Sequence, residues 1–215
     1  MAPSDGPLTD ERFKGVLAEY NQRLVVEDET IANLEAGDFW GRRDEFLLPV
    51  GPDTGAMLNA LAKGLEAQTI LEIGTSYGYS TLWFGEAARA TGGKVISLEL
   101  SPVKAEYARA ALARAGLEGH VEVVVGDACE TLRGLPGPFD LVLLDLWKEL
   151  YIPCFDLFLD KLGAGAVVVA DNIIWPSNTR VHAEAYRAHV RASGLFDSVL
   201  LPLGSGLEIS RRHAG

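Results

Sequence analysis

The chain has 215 residues, a formal net charge of −11, 48% hydrophobic and 23% charged residues, values that fit one globular unit with its own core and exclude a disordered chain or a disulfide scaffold. The acidic balance repels a phosphate backbone, which removes nucleic acid from the expected partners, and no apolar run reaches the roughly 20 residues that a membrane-crossing helix needs. Residues 1–10 lack the positive and apolar regions of a secretory signal, and the two cysteines, Cys129 and Cys154, are expected to stay reduced in a cytoplasmic protein.

Residues 9–34 carry Phe13, Val16, Leu17, Tyr20, Leu24 and Ile31 at helical spacing among charges, which predicts an amphipathic helix with at most one break, packed on the domain or on a second subunit. Segment 37–53, with Phe39, Trp40, Phe46 and two prolines, reads as irregular, either a lid or a contact surface. From residue 69 short β-rich runs alternate with helical patterns. Strands are expected at 69–73, 94–98, 121–125, 140–144 and 166–170, and helices at 79–89, 102–115 and 151–161, with a short turn at 130–132. A helix at 180–193 precedes two further β-like runs, 197–203 and 206–210, joined by Gly204-Ser205 as an antiparallel hairpin that finishes the sheet. The expected fold is α/β: a Rossmann-like, doubly wound, mostly parallel sheet of seven strands with an antiparallel last strand, helices on both faces and extra amino-terminal helices. Residues 1–215 are read as one domain, with 1–50 a helical or lid segment and 51–215 the core. Right-handed crossovers place ligand sites at the carboxyl ends of the strands.

The first strand runs through Leu71-Glu72-Ile73-Gly74-Thr75-Ser76-Tyr77-Gly78-Tyr79-Ser80 into a helix. Gly74 and Gly78 therefore fall where backbone turns sharply beside a ligand, although glycines needed only for tight packing leave the same mark. Glu99, ending the second strand, is placed to accept two hydrogen bonds from ribose hydroxyls. Asp127, in Gly126-Asp127-Ala128 after the third, can bond an adenine amine, cap the next helix, or do both. The loop lacks the three-glycine pattern that cradles a pyrophosphate, so a sulfonium cofactor, S-adenosylmethionine, is favoured over NAD.

Asp145 follows the fourth strand and Asp171-Asn172 the fifth, so three oxygen-donor side chains emerge at neighbouring strand ends. Asp-Asn alone is a common turn pair, and a lysine beside a tryptophan is commonly a surface residue. Together, in the same sheet as the glycine loop, they favour a hard divalent cation, Mg2+ or alternatively Ca2+ or Mn2+, whose shell of about six oxygens keeps places for water and substrate. Two adjacent phenolic oxygens suit those places, and the cation would make them more acidic. Lys148 is the candidate general base.

At these residues the sequence resembles the catechol O-methyltransferase and caffeoyl-CoA O-methyltransferase family of class I, cation-dependent O-methyltransferases, from Val50 to about Ser210. The resemblance implies a cofactor site formed by Glu72, Gly74 and Thr75 in the loop, with Val50 and Ser80 at the methionine end. It puts Glu99 at the ribose, Asp127 and the Ala128 backbone at the adenine, and Asp145 between cofactor and metal. Asp145, Asp171 and Asn172 correspond to the metal ligands. The run Asp145-Leu146-Trp147-Lys148-Glu149-Leu150-Tyr151 is nearer the catechol branch, whose tryptophan stacks on adenine and whose lysine is the base, roles that fall to Trp147 and Lys148. Gly206-Leu207-Glu208 is similar to the motif whose acid bonds the hydroxyl left unmethylated, which adds Glu208 to Lys148 and Asp145 as catalytic residues. Trp175-Pro176 matches the wall of the ring slot. Leu146 departs from the histidine of mammalian catechol enzymes, and 37–46 has no counterpart. The implied activity is methylation of a catechol-type hydroxyl on a small aromatic dihydroxy substrate by a cytoplasmic homodimer joined through its first helix. Acyl-CoA-linked or flavonoid phenols as substrates, or a cofactor-binding module without chemistry, are the alternatives.

Overall fold

Along β4 (Phe139–Leu144) successive side chains are buried on opposite faces: Leu141 and Leu143 on one, Val142 and Leu144 on the other, all fully enclosed. That is the period-2 pattern of a strand covered on both sides. The computed structural model describes residues 10–35 and 37–214; the expectations for residues 1–9, including the helix start at 9, lie outside the described residues. With β1 (Thr69–Ile73), β2 (Lys94–Glu99), β3 (Val121–Val125), β5 (Leu162–Ala170), β6 (Phe196–Leu201) and β7 (Leu207–Arg212), β4 builds a seven-stranded sheet in the order β3-β2-β1-β4-β5-β7-β6. β7 alone runs opposite to the other six, antiparallel to both β5 and β6. The sheet class, the hairpin and the antiparallel last strand are those expected.

Helices α1 (Glu11–Ala32), α2 (Asp38–Arg42), α3 (Pro52–Gly64), α4 (Tyr79–Thr91) and α5 (Pro102–Arg114) precede β3 in the chain. Apolar side chains of α1, α3, α4 and α5 fill one face of the sheet, among them Phe13, Leu58, Phe84 and Leu112. Helices α6 (Ala128–Gly134), α7 (Tyr151–Phe158) and α8 (Arg180–Ala192) cover the other through Leu132, Phe155, Tyr186 and Val190. After β3 the chain returns to the far side of β1, so the carboxyl ends of β1 and β4 flank the crevice at which such sheets bind ligands. Among the described residues no helix is long and apolar enough to cross a membrane.

Several boundaries differ from the sequence expectation. The first helix, in line with its expectation, runs unbroken with no proline inside it, and the Asp10 carboxylate caps it through the Arg12 and Phe13 amides at 2.8 and 3.2 Å. β5 starts at Leu162, ahead of the expected 166, since Leu162 pairs with Phe139 across an irregularity in register. The turn expected at 130–132 is a full helical turn and more, α6, and the helix expected to 161 ends as a 3-10 turn at Leu159–Lys161. The sequence reading places no helix at α3, whose signs are Pro52 at the first turn and the apolar spacing of Leu58 and Ala62, both buried.

Candidate active site

The turn after β1 is set by close approach. Gly74 has φ +108°, and a β-carbon there would lie 2.0 Å from the Asp145 carbonyl oxygen, so only glycine lets the β1 and β4 ends meet. The Gly74 and Thr75 amides both donate to the Leu98 carbonyl at 3.0 Å, and the Asp145 amide donates to the Ile73 carbonyl at 3.0 Å. Gly74→Ala is therefore expected to cost at least about 3 kcal/mol, from strain at positive φ and a backbone clash, read as a fall in the urea midpoint. A midpoint equal to wild type would contradict this account of the turn.

Beneath the loop, fully buried Glu72 accepts the Thr81 and Ser97 hydroxyls on Oε2, each at 2.5 Å, while Oε1 has no protein partner. Burial is the main cause that pushes its pKa up to about 7. Thr75 Oγ1 meets Ser97 Oγ at 2.5 Å, which makes Ser97 the hub that joins Glu72 of β1 to Thr75 of the loop. A polar residue facing inward from mid-strand was its only mark in the sequence. Glu99 accepts the Ser76 amide on Oε2 at 2.7 Å and the Ser101 amide on Oε1 at 2.8 Å, a geometry that holds the carboxylate at the end of β2. Asp127 caps α6 by accepting the Glu130 amide at 2.9 Å, leading directly into partly buried Ala128. Val50 and Ser80 are both buried.

The segment 37–53 lies on this loop. The Tyr77 hydroxyl donates to the Asp44 carbonyl at 2.8 Å, Ser76 Oγ to the Leu47 carbonyl at 3.4 Å, and the Leu47 amide to Glu27 of α1 at 2.8 Å. Arg43 stacks its guanidinium 4.5 Å from the ring centre of Trp147, which is 45% exposed. These contacts lay the segment over the loop. No single-sequence pattern marks a partner for Trp147 a hundred residues upstream.

At the ends of β4 and β5, Lys148 occupies the centre. Its Nζ donates to the Leu146 carbonyl at 3.0 Å, Asn172 Oδ1 at 2.8 Å and Tyr151 Oη at 2.6 Å, and lies 3.5 Å from Asp145 Oδ1. The Asp171 amide donates to the Leu144 carbonyl at 3.0 Å, and the Asn172 amide to Asp171 Oδ1 at 2.6 Å. That local bond accompanies φ +54° at Asn172, a left-handed conformation that asparagine tolerates better than most residues. The structure thus brings Asp145, Lys148, Asp171 and Asn172 together, next to Gly74. Burial pulls the Lys148 pKa down, against the pull of Asp145 and Asp171. It pushes Asp145 up, and pushes Asp171 up to about 7 with a further contribution from Asp145.

These residues fit a hard cation. A buried carboxylate, a partly buried one and an amide oxygen are all oxygen donors of the kind magnesium, calcium and manganese take, and a positive charge, the Lys148 ammonium, already lies against two of them. Among the described residues no group of three or more His, Cys, Asp or Glu side chains gathers as a metal site; the set here has two acids and relies on Asn172 for the third donor. The glycine turn fits a nucleoside cofactor through its close approach and the carboxylate of Glu99 at the β2 end.

Glu208 is placed differently from the rest. It is 1% exposed, and its carboxylate is held by Arg187 Nε at 2.8 Å and by Arg191, both from α8. Trp175 is 63% exposed beside Pro176, and the Ile173 and Ile174 amides donate to the Gly206 and Ser205 carbonyls at 2.9 and 3.0 Å, which ties this wall to the hairpin turn.

A family profile described as a methyltransferase domain matches residues 71–173, from β1 to just beyond Asn172. A catechol O-methyltransferase of Mycobacterium tuberculosis is 43% identical over 128 residues, covering 59% of this chain and 58% of that one, less than two thirds of its length. A catechol O-methyltransferase of Niastella koreensis is 37% identical over 171 residues, covering 78% of this chain and 76% of the other. Among solved structures, an O-methyltransferase from Bacillus cereus in complex with SAH superposes with a TM-score of 0.73 at 27% identity, covering 92% of this chain and 90% of that one.

Proposed function

The chain belongs to the catechol O-methyltransferase family of S-adenosylmethionine-dependent O-methyltransferases, and from that premise we propose that it methylates one hydroxyl of a small catechol-type substrate with the help of a divalent cation. The observation that carries the reading is the Lys148 ammonium between Asn172 and Asp145, with the Asp145 carbonyl packed against the glycine turn at Gly74. Bound in this site, S-adenosylmethionine supplies an electrophilic methyl group and Mg2+, Ca2+ or Mn2+ supplies charge that favours an ionised phenol.

Asp145, Asp171 and Asn172 would hold the cation. Lys148 takes the hydroxyl proton at Nζ, and its burial, which disfavours the ammonium form, makes the neutral amine accessible for that step. Glu99 would hold the ribose hydroxyls, and Asp127, the Ala128 backbone and the Trp147 ring would hold the adenine. Val50, Gly74, Thr75 and Ser80 would line the methionine end, with Glu72 holding Thr81 and Ser97 from below. Segment 37–53 limits water at the loop through Asp44 and Leu47. The carboxylate of Glu208, expected from the sequence to take the hydroxyl that is not methylated, is enclosed with Arg187 and Arg191 and is left outside the substrate contacts.

Separate calorimetric titrations with S-adenosylmethionine and NAD, followed by mass spectrometry of products, test this reading. The expected result is binding of the sulfonium nucleoside alone and addition of one methyl group to caffeic acid in the presence of Mg2+. The same screen over flavonoids and acyl-CoA phenols ranks the substrates. Cofactor binding with no methylated product from any catechol would retire the substrate assignment.

A further inference from the structure

We propose that Tyr151 is the positioning residue for the Lys148 amine and for the two strand ends that carry Asp145 and Asp171; the inference rests on the general-base reading of Lys148. The Tyr151 hydroxyl is fully buried and lies 3.0 Å from the Leu144 carbonyl and 3.0 Å from the Asp171 carbonyl. Carbonyls only accept, so the single phenolic proton is committed to them. Toward Lys148, at 2.6 Å, the same oxygen is therefore an acceptor.

This fixes the amine's direction. Nζ has two partners away from the ligand set that can only receive, Tyr151 Oη and the Leu146 carbonyl at 3.0 Å. With those two tetrahedral positions occupied, a remaining one is aimed at Asn172 and Asp145, the side on which a substrate hydroxyl would meet the amine. The phenol ring supports the same stem, with Nζ 4.6 Å from its centre, and is itself held edge-on by Tyr186 at 5.4 Å. One hydroxyl thus joins the last residue of β4, the turn that bears Lys148 and the residue that follows β5. A lysine free of this contact would keep its long stem's rotamer freedom, and misplacement of a reacting group by about 1 Å is enough to cost about 100-fold in rate.

Tyr151→Phe removes this oxygen alone. The ring and its contact with Tyr186 remain, and the Leu144 carbonyl still receives the Asp171 amide at 3.0 Å. The experiment compares wild type, Tyr151→Phe, Lys148→Met and the double variant in single-turnover methylation of a catechol with Mg2+, alongside calorimetric binding of S-adenosylmethionine and thermal unfolding. Tyr151→Phe is expected to lose about 10- to 100-fold in kcat with cofactor affinity unchanged. If it acts through the lysine, the double variant is no slower than Lys148→Met, because the two losses share one origin. Multiplying losses in the double variant, or Tyr151→Phe turning over within about twofold of wild type, would overturn the proposal. Full activity in Lys148→Met would remove the base reading and this inference together, whereas an inactive Lys148→Met beside a fully active Tyr151→Phe removes the inference alone.

Discussion

Replacing Lys148 by methionine is expected to slow methyl transfer by about 10²- to 10⁴-fold, the range over which a positioned general base contributes, while the protein stays folded and still binds its cofactor. Lys148 is 9% exposed, and four oxygens surround its Nζ, so the amine is held rather than solvated. Methionine keeps an unbranched stem of similar reach and packs in the same space, but offers neither proton acceptor nor charge. The carboxylates beside it are able to adjust by keeping a proton, since desolvation already pushes Asp145 and Asp171 upward. Single-turnover quench kinetics with a labelled methyl group read the rate, and calorimetry reads cofactor affinity. A variant within tenfold of wild type would show that Lys148 serves charge balance in the apo protein and not the proton transfer.

Removal of divalent cations is expected to abolish turnover by about 10³-fold or more, with recovery on adding Mg2+ and with S-adenosylmethionine binding retained. The figure follows from several kcal/mol of charge stabilisation at about 1.4 kcal/mol per tenfold in rate. The chain's own residues supply the argument: buried Asp171 and partly buried Asp145 lie near each other, Asp145 raising the cost of ionising Asp171, and Lys148 is the cationic group against them among the described residues. Buried charges of like sign need compensation, and two carboxylates with Asn172 Oδ1 form a hard-oxygen set suited to a second cation. Cofactor binding should survive because Thr75 and Glu99 are held by the Leu98 carbonyl, Ser97 and the Ser76 and Ser101 amides, none of which belongs to that set. Undiminished methylation after exhaustive chelation would end the metal assignment.

Much of this molecule was legible because its signals are local. Alternation along Leu141, Val142, Leu143 and Leu144 marks a strand buried on both faces, and the run from Glu72 to Ser80 marks a strand, a glycine turn and a helix start within nine residues. Adjacent strand ends bring Asp145 and Asp171-Asn172 together as soon as the parallel order is inferred, since Leu144 and Ala170 are register partners. The extent of α6, the early start of β5 and the existence of α3 were less legible, because packing against the sheet outweighed weak local preferences there.

Residue order by itself determined the α/β class, the hairpin, the position of the glycine turn and the identity of the oxygen donors, because backbone preference and hydrophobic period are written within a few neighbouring residues. Tertiary structure alone decided which side chains share a partner: Arg43 on Trp147, Ser97 under Thr75 and Glu72, Arg187 and Arg191 on Glu208, and the Asp171 carbonyl at the Tyr151 hydroxyl that supports Lys148. Those pairings depend on register, helix rotation and the docking of elements separated by tens of residues, and burial makes each polar group seek whichever partner the packed elements bring within reach.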